Sequence, residues 1–169
     1  MAYHRFAVLT EQGERGVKTA EFEALFAPEA ELHSPFLVKP VEGKALTLQF
    51  LTEAFSNVGY PTYTHQFSDG RTIVLLWKSQ GRVHGYEVQG TMELTLREDG
   101  LIIAATSYLR PLQVVALLRE FLFASAGSKL PPEYWKASPT GFAGDPSLLK
   151  YGAQNNSNEM VAKTSTEQK

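Results

Sequence analysis

The 169-residue sequence predicts an α+β domain: a curved antiparallel sheet wrapped around N-terminal helices, then an apolar C-terminal helix and a flexible tail. Three observations carry that expectation. From His84 to Arg97 the chain alternates with period two, so that His84, Tyr86, Val88, Gly90, Met92, Leu94 and Leu96 share one face of a strand. Leu46, Phe50, Leu51, Ala54 and Phe55 fall on one face of a helix over about 44–56. Beyond that helix, β-prone runs are separated by turn signals at Ser68-Asp69-Gly70, Ser79-Gln80-Gly81 and Glu98-Asp99-Gly100, the pattern of consecutive hairpins. Helices first and strands later place the helices against one side of the sheet.

The elements follow in order. Tyr3, Phe6, Ala7 and Val8 give a first helix over about 3–12, weakened after it by Gly13 and Gly16. Thr19 is a suitable N-cap for a second helix bearing Phe22, Leu25 and Phe26, which Pro28 ends. Residues 31–36 read as a short strand interrupted by Pro35, and Pro40 and Gly43 mark a loop. Residues 62–67 alternate weakly. The run 72–78 is apolar on both faces and is expected to be a central strand covered on both sides. The last strand, 101–109, has an ambiguous parity: either Ile102, Ala104, Thr106 and Tyr108 or Ile103, Ala105, Ser107 and Leu109 face inward. Pro111 opens a final helix over 112–123 that is apolar nearly all round, expected to be buried against the sheet and again against the tail or another subunit. The expected organisation is a cone-shaped domain over 1–126, an irregular arm over 127–151 and a disordered tail over 152–169.

Composition removes several function classes. A net charge of −2 without a dense Lys/Arg cluster argues against nucleic acid and anionic membranes as partners. No apolar run approaches the roughly 18 residues of a membrane span. The N-terminus meets charge and Gly too early for a signal peptide, so a cytoplasmic location is expected. There is no cysteine, and His4, His33, His65 and His84 form no metal-binding motif, so neither a metal nor another cofactor is expected. Phosphate-binding and nucleophile-elbow motifs are missing as well.

Several stretches resemble one family when taken in order. LFAPEAELHSP (Leu25–Pro35) is similar to an acidic turn followed by a short strand, and KPVEGK (Lys39–Lys44) to a loop whose Gly opens the middle helix. VQGTMEL (Val88–Leu94) and REDGLI (Arg97–Ile102) resemble a long hairpin, and YLRPL (Tyr108–Leu112) resembles the Arg-Pro ending of one uncharacterised subgroup. Together these resemble the SnoaL-like branch of the nuclear transport factor 2-like superfamily over about half the chain. The resemblance implies a cone with a deep, mostly apolar cavity, often in a dimer. Its relatives include ketosteroid isomerases, polyketide cyclases and limonene epoxide hydrolases beside pure binding domains. The family often carries an inward Asp two residues after the strand's Gly. Here that position is Met92, which puts mechanisms built on that carboxylate in doubt.

His84 and Tyr86 are the expected catalytic pair. A histidine exchanges protons near neutrality, and a phenol can polarise a carbonyl oxygen. The bland alternatives are a solvent-facing rim histidine and a satisfied core tyrosine. Val88, Met92, Leu94, Trp77, Tyr108, Arg110 and His33 are the expected ligand-binding residues. Alternation favours turning His33 outward beside Glu31, Trp77 suits a core equally, and Arg110 suits either an anionic group or a backbone clamp. The expected function is a small apolar-molecule-binding pocket, with proton-transfer chemistry (isomerisation, cyclisation or epoxide opening) on a carbonyl- or epoxide-bearing ligand as the reaction open to it. The expected partners are that ligand and a second copy in a homodimer. The alternative is a non-catalytic binding or dimerisation module.

Overall fold

A computed structural model describes residues 3–80 and 85–135. The chain divides into two units, Met1–Trp135 and Lys136–Lys169, and all described residues belong to the first. His84, Gly81 and the expected tail lie outside the described residues. Residues 127–135 of the expected arm pack within the first unit, where Leu130, Tyr134 and Trp135 are buried.

Three short helices open the chain: α1 (Arg5–Glu11), α2 (Glu14–Val17) and α3 (Ala20–Ala24). The Thr19 hydroxyl accepts from the Phe22 N–H at 3.1 Å, the cap the sequence predicts. α1 begins differently. Neutral His4 caps it through Nδ1, which accepts from the Phe6 N–H at 3.3 Å. Burial lowers the His4 pKa, because the charged ring would lose its water. Phe6, Phe22 and Phe26 pack ring against ring and join these helices to the sheet.

The first strand runs earlier than 31–36. β1 is Phe26–His33, and Pro28 lies inside it. Its pairing with the last strand shifts register between Phe26 and Glu31, and that irregularity accommodates a residue without an N–H. β2 (Val41–Glu42) is a short edge strand in the expected loop. α4 (Lys44–Val58) crosses the sheet, burying Thr47, Phe50, Leu51, Phe55 and Val58. The Thr47 hydroxyl donates to the Ala30 and Val41 carbonyls, fastening the helix to β1 and β2.

β3 (Pro61–Ser68), β4 (Thr72–Ser79), β5 (Gln89–Leu96) and β6 (Ile102–Arg110) complete a six-stranded sheet of order β2-β1-β6-β5-β4-β3. Every neighbouring pair is antiparallel except β1 with β6, which run parallel. β4 is therefore second from an edge. Its inner residues Ile73, Leu75 and Trp77 are buried, whereas Val74 and Leu76 are half-buried and Lys78 is exposed, so it is covered on one side.

Register gives three inner rows across β4, β5 and β6: Ile73–Leu94–Ala105, Leu75–Met92–Ser107 and Trp77–Gly90–Leu109. The parity of the last strand is mixed. Leu96 pairs with Ile102 and Thr95 with Ala104, leaving Ile103 as an extra residue. The bulge flips the alternation, so Ile102 is buried before it and Ala105 after it. Ala105, Ser107 and Leu109 then face the helices.

α5 (Leu112–Ala126) buries Val114, Val115, Leu118, Leu122 and Ala126. On its other sides Leu112 is 77% exposed, and Leu117, Phe121 and Phe123 are exposed as well; the expected second cover, the tail or another subunit, lies outside the described residues. Trp135 packs against Phe50 and Phe123, and Arg119 donates to the carbonyls of Phe36 and Trp135, so the segment up to Trp135 closes over the α4–α5 side.

Two predictions follow from this packing. Between its lowered folded pKa and 6.5, His4 takes up a proton in the unfolded chain and refuses it in the folded one. Stability contributed by neutral His4 is complete above pH 6.5 and falls as the pH drops through 6.5 towards the folded value. Urea denaturation from pH 7.5 to 5.5 should show a smaller loss for His4→Asn, which keeps an acceptor at the cap; equal slopes would rule this out. At Gly90, an added Cβ would come within 2.6 Å of the Tyr108 carbonyl oxygen and 2.7 Å of Trp77 Cζ2. Gly90→Ala should destabilise the fold by about 1–3 kcal/mol, read as a lower denaturation midpoint.

Candidate functional site

The sheet separates two concave sites of opposite chemistry. The inner one lies between the sheet and α4. Leu32, Ser34 and Phe36 line it from β1 and the following turn, and Phe50, Leu51, Ala54, Phe55 and Val58 from α4. Trp77, Met92, Ser107 and Leu109 close it from the strands. The cavity volume is about 30 Å³, room for roughly one water molecule. The lining residues with a polar side-chain atom are Ser34, Ser107 and Trp77. The Ser34 hydroxyl already accepts from the Phe36 N–H at 3.3 Å. No residue of this lining titrates near neutrality, so the described wall offers packing rather than acid–base chemistry.

The outer site is larger, about 440 Å³, within the size range of small-molecule pockets. It spans two outer rows, Lys78–Gln89–Arg110 and Leu76–Thr91–Tyr108, with Thr64 of β3 beside Leu76. Arg110 donates from Nε and Nη2 to Gln89 Oε1, at 2.9 and 2.5 Å. Gln89 Nε2 in turn donates to Glu87 Oε1 at 2.6 Å. The row is a connected polar chain on an otherwise apolar floor.

The predicted residues divide over these two faces. Met92 and Trp77 line the inner cavity, while Val88 and Leu94 are wholly buried in the core and do not reach it. Tyr108, 54% exposed, and Arg110 face the outer groove instead. His33 also lies outside, its Nε2 3.0 Å from Glu31 Oε1. Tyr86 corrects the expectation of an inward phenol. It is 49% exposed and precedes β5, which begins only at Gln89, so the alternation that predicted its direction does not extend to it. His84 lies outside the described residues, and nothing places it beside Tyr86.

Sequence reasoning missed Phe36, Phe50 and Ser107 inside and Lys78 and Gln89 outside. The Lys78–Gln89 pair had no local signal, because the expected turn at 79–81 sets Lys78 opposite position 82, whereas the ladder pairs it with Gln89. Phe36 had none either. The buried phenol of Tyr63 is pushed well above its ordinary pKa by desolvation, and its hydroxyl is 2.8 Å from Thr10 Oγ1. It stays protonated at neutral pH and ties α1 to β3, a structural role. Among the described residues no cluster of His, Asp and Glu could hold a metal ion, and no helix is long and apolar enough to cross a membrane.

Comparisons with known proteins agree with this architecture. A steroid delta-isomerase from Pseudomonas aeruginosa superposes with a TM-score of 0.61 at 23% identity, over 76% of this chain and 97% of that one. An uncharacterised protein with a cystatin-like fold from Silicibacter pomeroyi DSS-3 gives 0.61 at 21% identity, over 71% and 80%. A candidate polyketide cyclase from Sinorhizobium meliloti gives 0.52 at 18% identity, over 63% and 95%. At these identities the likeness establishes the fold alone. No curated protein matches the chain. The model of the SnoaL-like domain family matches residues 11–105, more than half of the sequence. With its helices packed on one face of a curved six-stranded sheet, the chain belongs to the SnoaL-like domain family and has the nuclear transport factor 2-like fold.

Proposed function

We propose that this protein is a binding member of its family, which takes a compact apolar molecule into the cone between α4 and the inner rows of β4, β5 and β6. One observation carries the reading: every described residue lining that cavity is apolar or a neutral hydroxyl or indole group. Met92 occupies the middle row where relatives often place a carboxylate. A flexible thioether in that position can yield space to a ligand by changing rotamer. The resting volume admits little more than a water molecule, so uptake requires the Met92 and Leu109 side chains to move aside. Small hydrocarbons suit this wall better than a polar or fused-ring ligand.

Proton-transfer chemistry on a carbonyl or epoxide is the second reading, supported by the isomerase and cyclase among proteins of the same fold. It depends on His84, since the described lining supplies no acid or base and Tyr86 is turned to solvent. A dimerisation role has its own support in the exposed Leu112, Leu117, Phe121 and Phe123 of α5, apolar groups on the two borders of its buried face that a second copy could cover.

Calorimetric titration with toluene and with limonene tests the binding reading. The wild type should bind at least one of them saturably. Leu109→Trp, which fills the cavity, should reduce affinity at least tenfold while leaving the protein folded. Met92→Asp should do the same by placing a charge in the apolar wall. Saturable binding that both substitutions leave unchanged, or no binding of either hydrocarbon, would overturn the proposal. His84→Gln should leave hydrocarbon affinity unaltered.

A further inference from the structure

We infer that the outer face of the sheet carries a second binding site, for a small carboxylate attached to an apolar or aromatic body. Lys78, Gln89 and Arg110 stand directly opposite one another on β4, β5 and β6. Opposed residues lie about 5 Å apart, so the two cations flank the glutamine at about 10 Å between backbones, and their long side chains can converge above it. Among the described residues neither cation has a carboxylate partner within ion-pair distance.

The arginine is oriented before any ligand arrives. Its Nε and Nη2 hold Gln89 Oε1, and Glu87 holds the other end of that amide. Nη1 and the second Nη2 hydrogen remain for an incoming oxygen, and a guanidinium fixed in this way loses less side-chain freedom on binding. The negative groups nearby are accounted for. Glu87 lies behind Gln89, bonded to its amide nitrogen. Glu93 lies four residues farther along β5, roughly 13 Å from the Gln89 row.

The adjoining row supplies the apolar half. Leu76, Thr91 and Tyr108 continue the groove away from the cations, and Tyr108 is an exposed part of its lining. Between the rows the floor is the backbone of Trp77, Gly90 and Leu109, whose side-chain positions turn inward. A ligand can therefore lie flat on the strands, with its carboxylate over Lys78 and Arg110 and its body over Leu76 and Tyr108. Charge-assisted bonds fix the head, and area removed from water holds the body.

This site is independent of the cone interior, and one experiment separates them. Backbone amide NMR shifts of the protein would be followed on titration with 4-phenylbutyrate, 4-phenylbutanol and inorganic phosphate. The expected result is saturable shifts at Lys78, Gln89, Thr91 and Arg110 with 4-phenylbutyrate, and affinity at least tenfold weaker for the alcohol and for phosphate. Lys78→Gln and Arg110→Gln each replace an exposed side chain and should weaken 4-phenylbutyrate about tenfold, with the remaining spectrum unchanged. Shifts confined to Leu94, Ala105 and the cavity lining would assign the probe to the interior and overturn the inference. Equal affinity for acid and alcohol, indifference to both substitutions, or no saturable shift would overturn it too. Light scattering on the same sample gives the last arm: a dimer whose outer rows are protected from the probe would make this face an interface instead of a ligand site.

Discussion

A missing methyl group at Gly90 sets much of the geometry. The inner row Trp77–Gly90–Leu109 brings an indole ring down over β5 at a point where a Cβ would meet both that ring and the Tyr108 carbonyl. The indole is buried and, with Met92 and Phe50, forms part of the wall of the interior. The same bare stretch of strand is the floor of the groove on the opposite side. Two concavities back to back are a consequence of one close approach of backbone to side chain, which only glycine permits.

The sheet then sorts chemistry by face. Successive side chains on β5 alternate, so Gly90, Met92 and Leu94 turn to the helices while Gln89, Thr91 and Glu93 turn away. The described cavity lining carries no titratable group, and the interior is only about 30 Å³ because phenylalanines from α4 and the turn after β1 fill it. Charged groups gathered outside. The cone of this family can thus hold its apolar packing and a polar surface site without either disturbing the other, since the backbone ladder stands between them.

Proteins of this fold include a steroid delta-isomerase and a candidate polyketide cyclase, so the architecture alone does not choose among isomerisation, cyclisation and binding. This chain has Met92 in the middle of the sheet, hydroxyl-bearing residues in the cavity lining, and an arginine held by an amide at the end of β6. The apolar interior and the charged outer row are the observations on which the two proposed modes of recognition rest.

Period-two alternation determined the buried face of β5 from the sequence alone, because the pleat imposes it residue by residue. Likewise the one-sided pattern of Phe50, Leu51 and Phe55 determined α4, and the Thr19 hydroxyl determined the start of α3, since each signal acts within a few residues. The outcome for Tyr86 marks where that logic stops: alternation needs a strand, and ladder pairing starts at Gln89. The parity of β6 was beyond local reading because one unpaired residue, Ile103, is set by pairing with β5, which lies across a turn. The division of Met92 and Trp77 from Tyr108 and Arg110 followed from that bulge. Cavity size was likewise decided only in three dimensions, by residues from five elements and the turn after β1 meeting at one point. Period and capping are properties of neighbours in the chain, whereas register and packing are properties of neighbours in space.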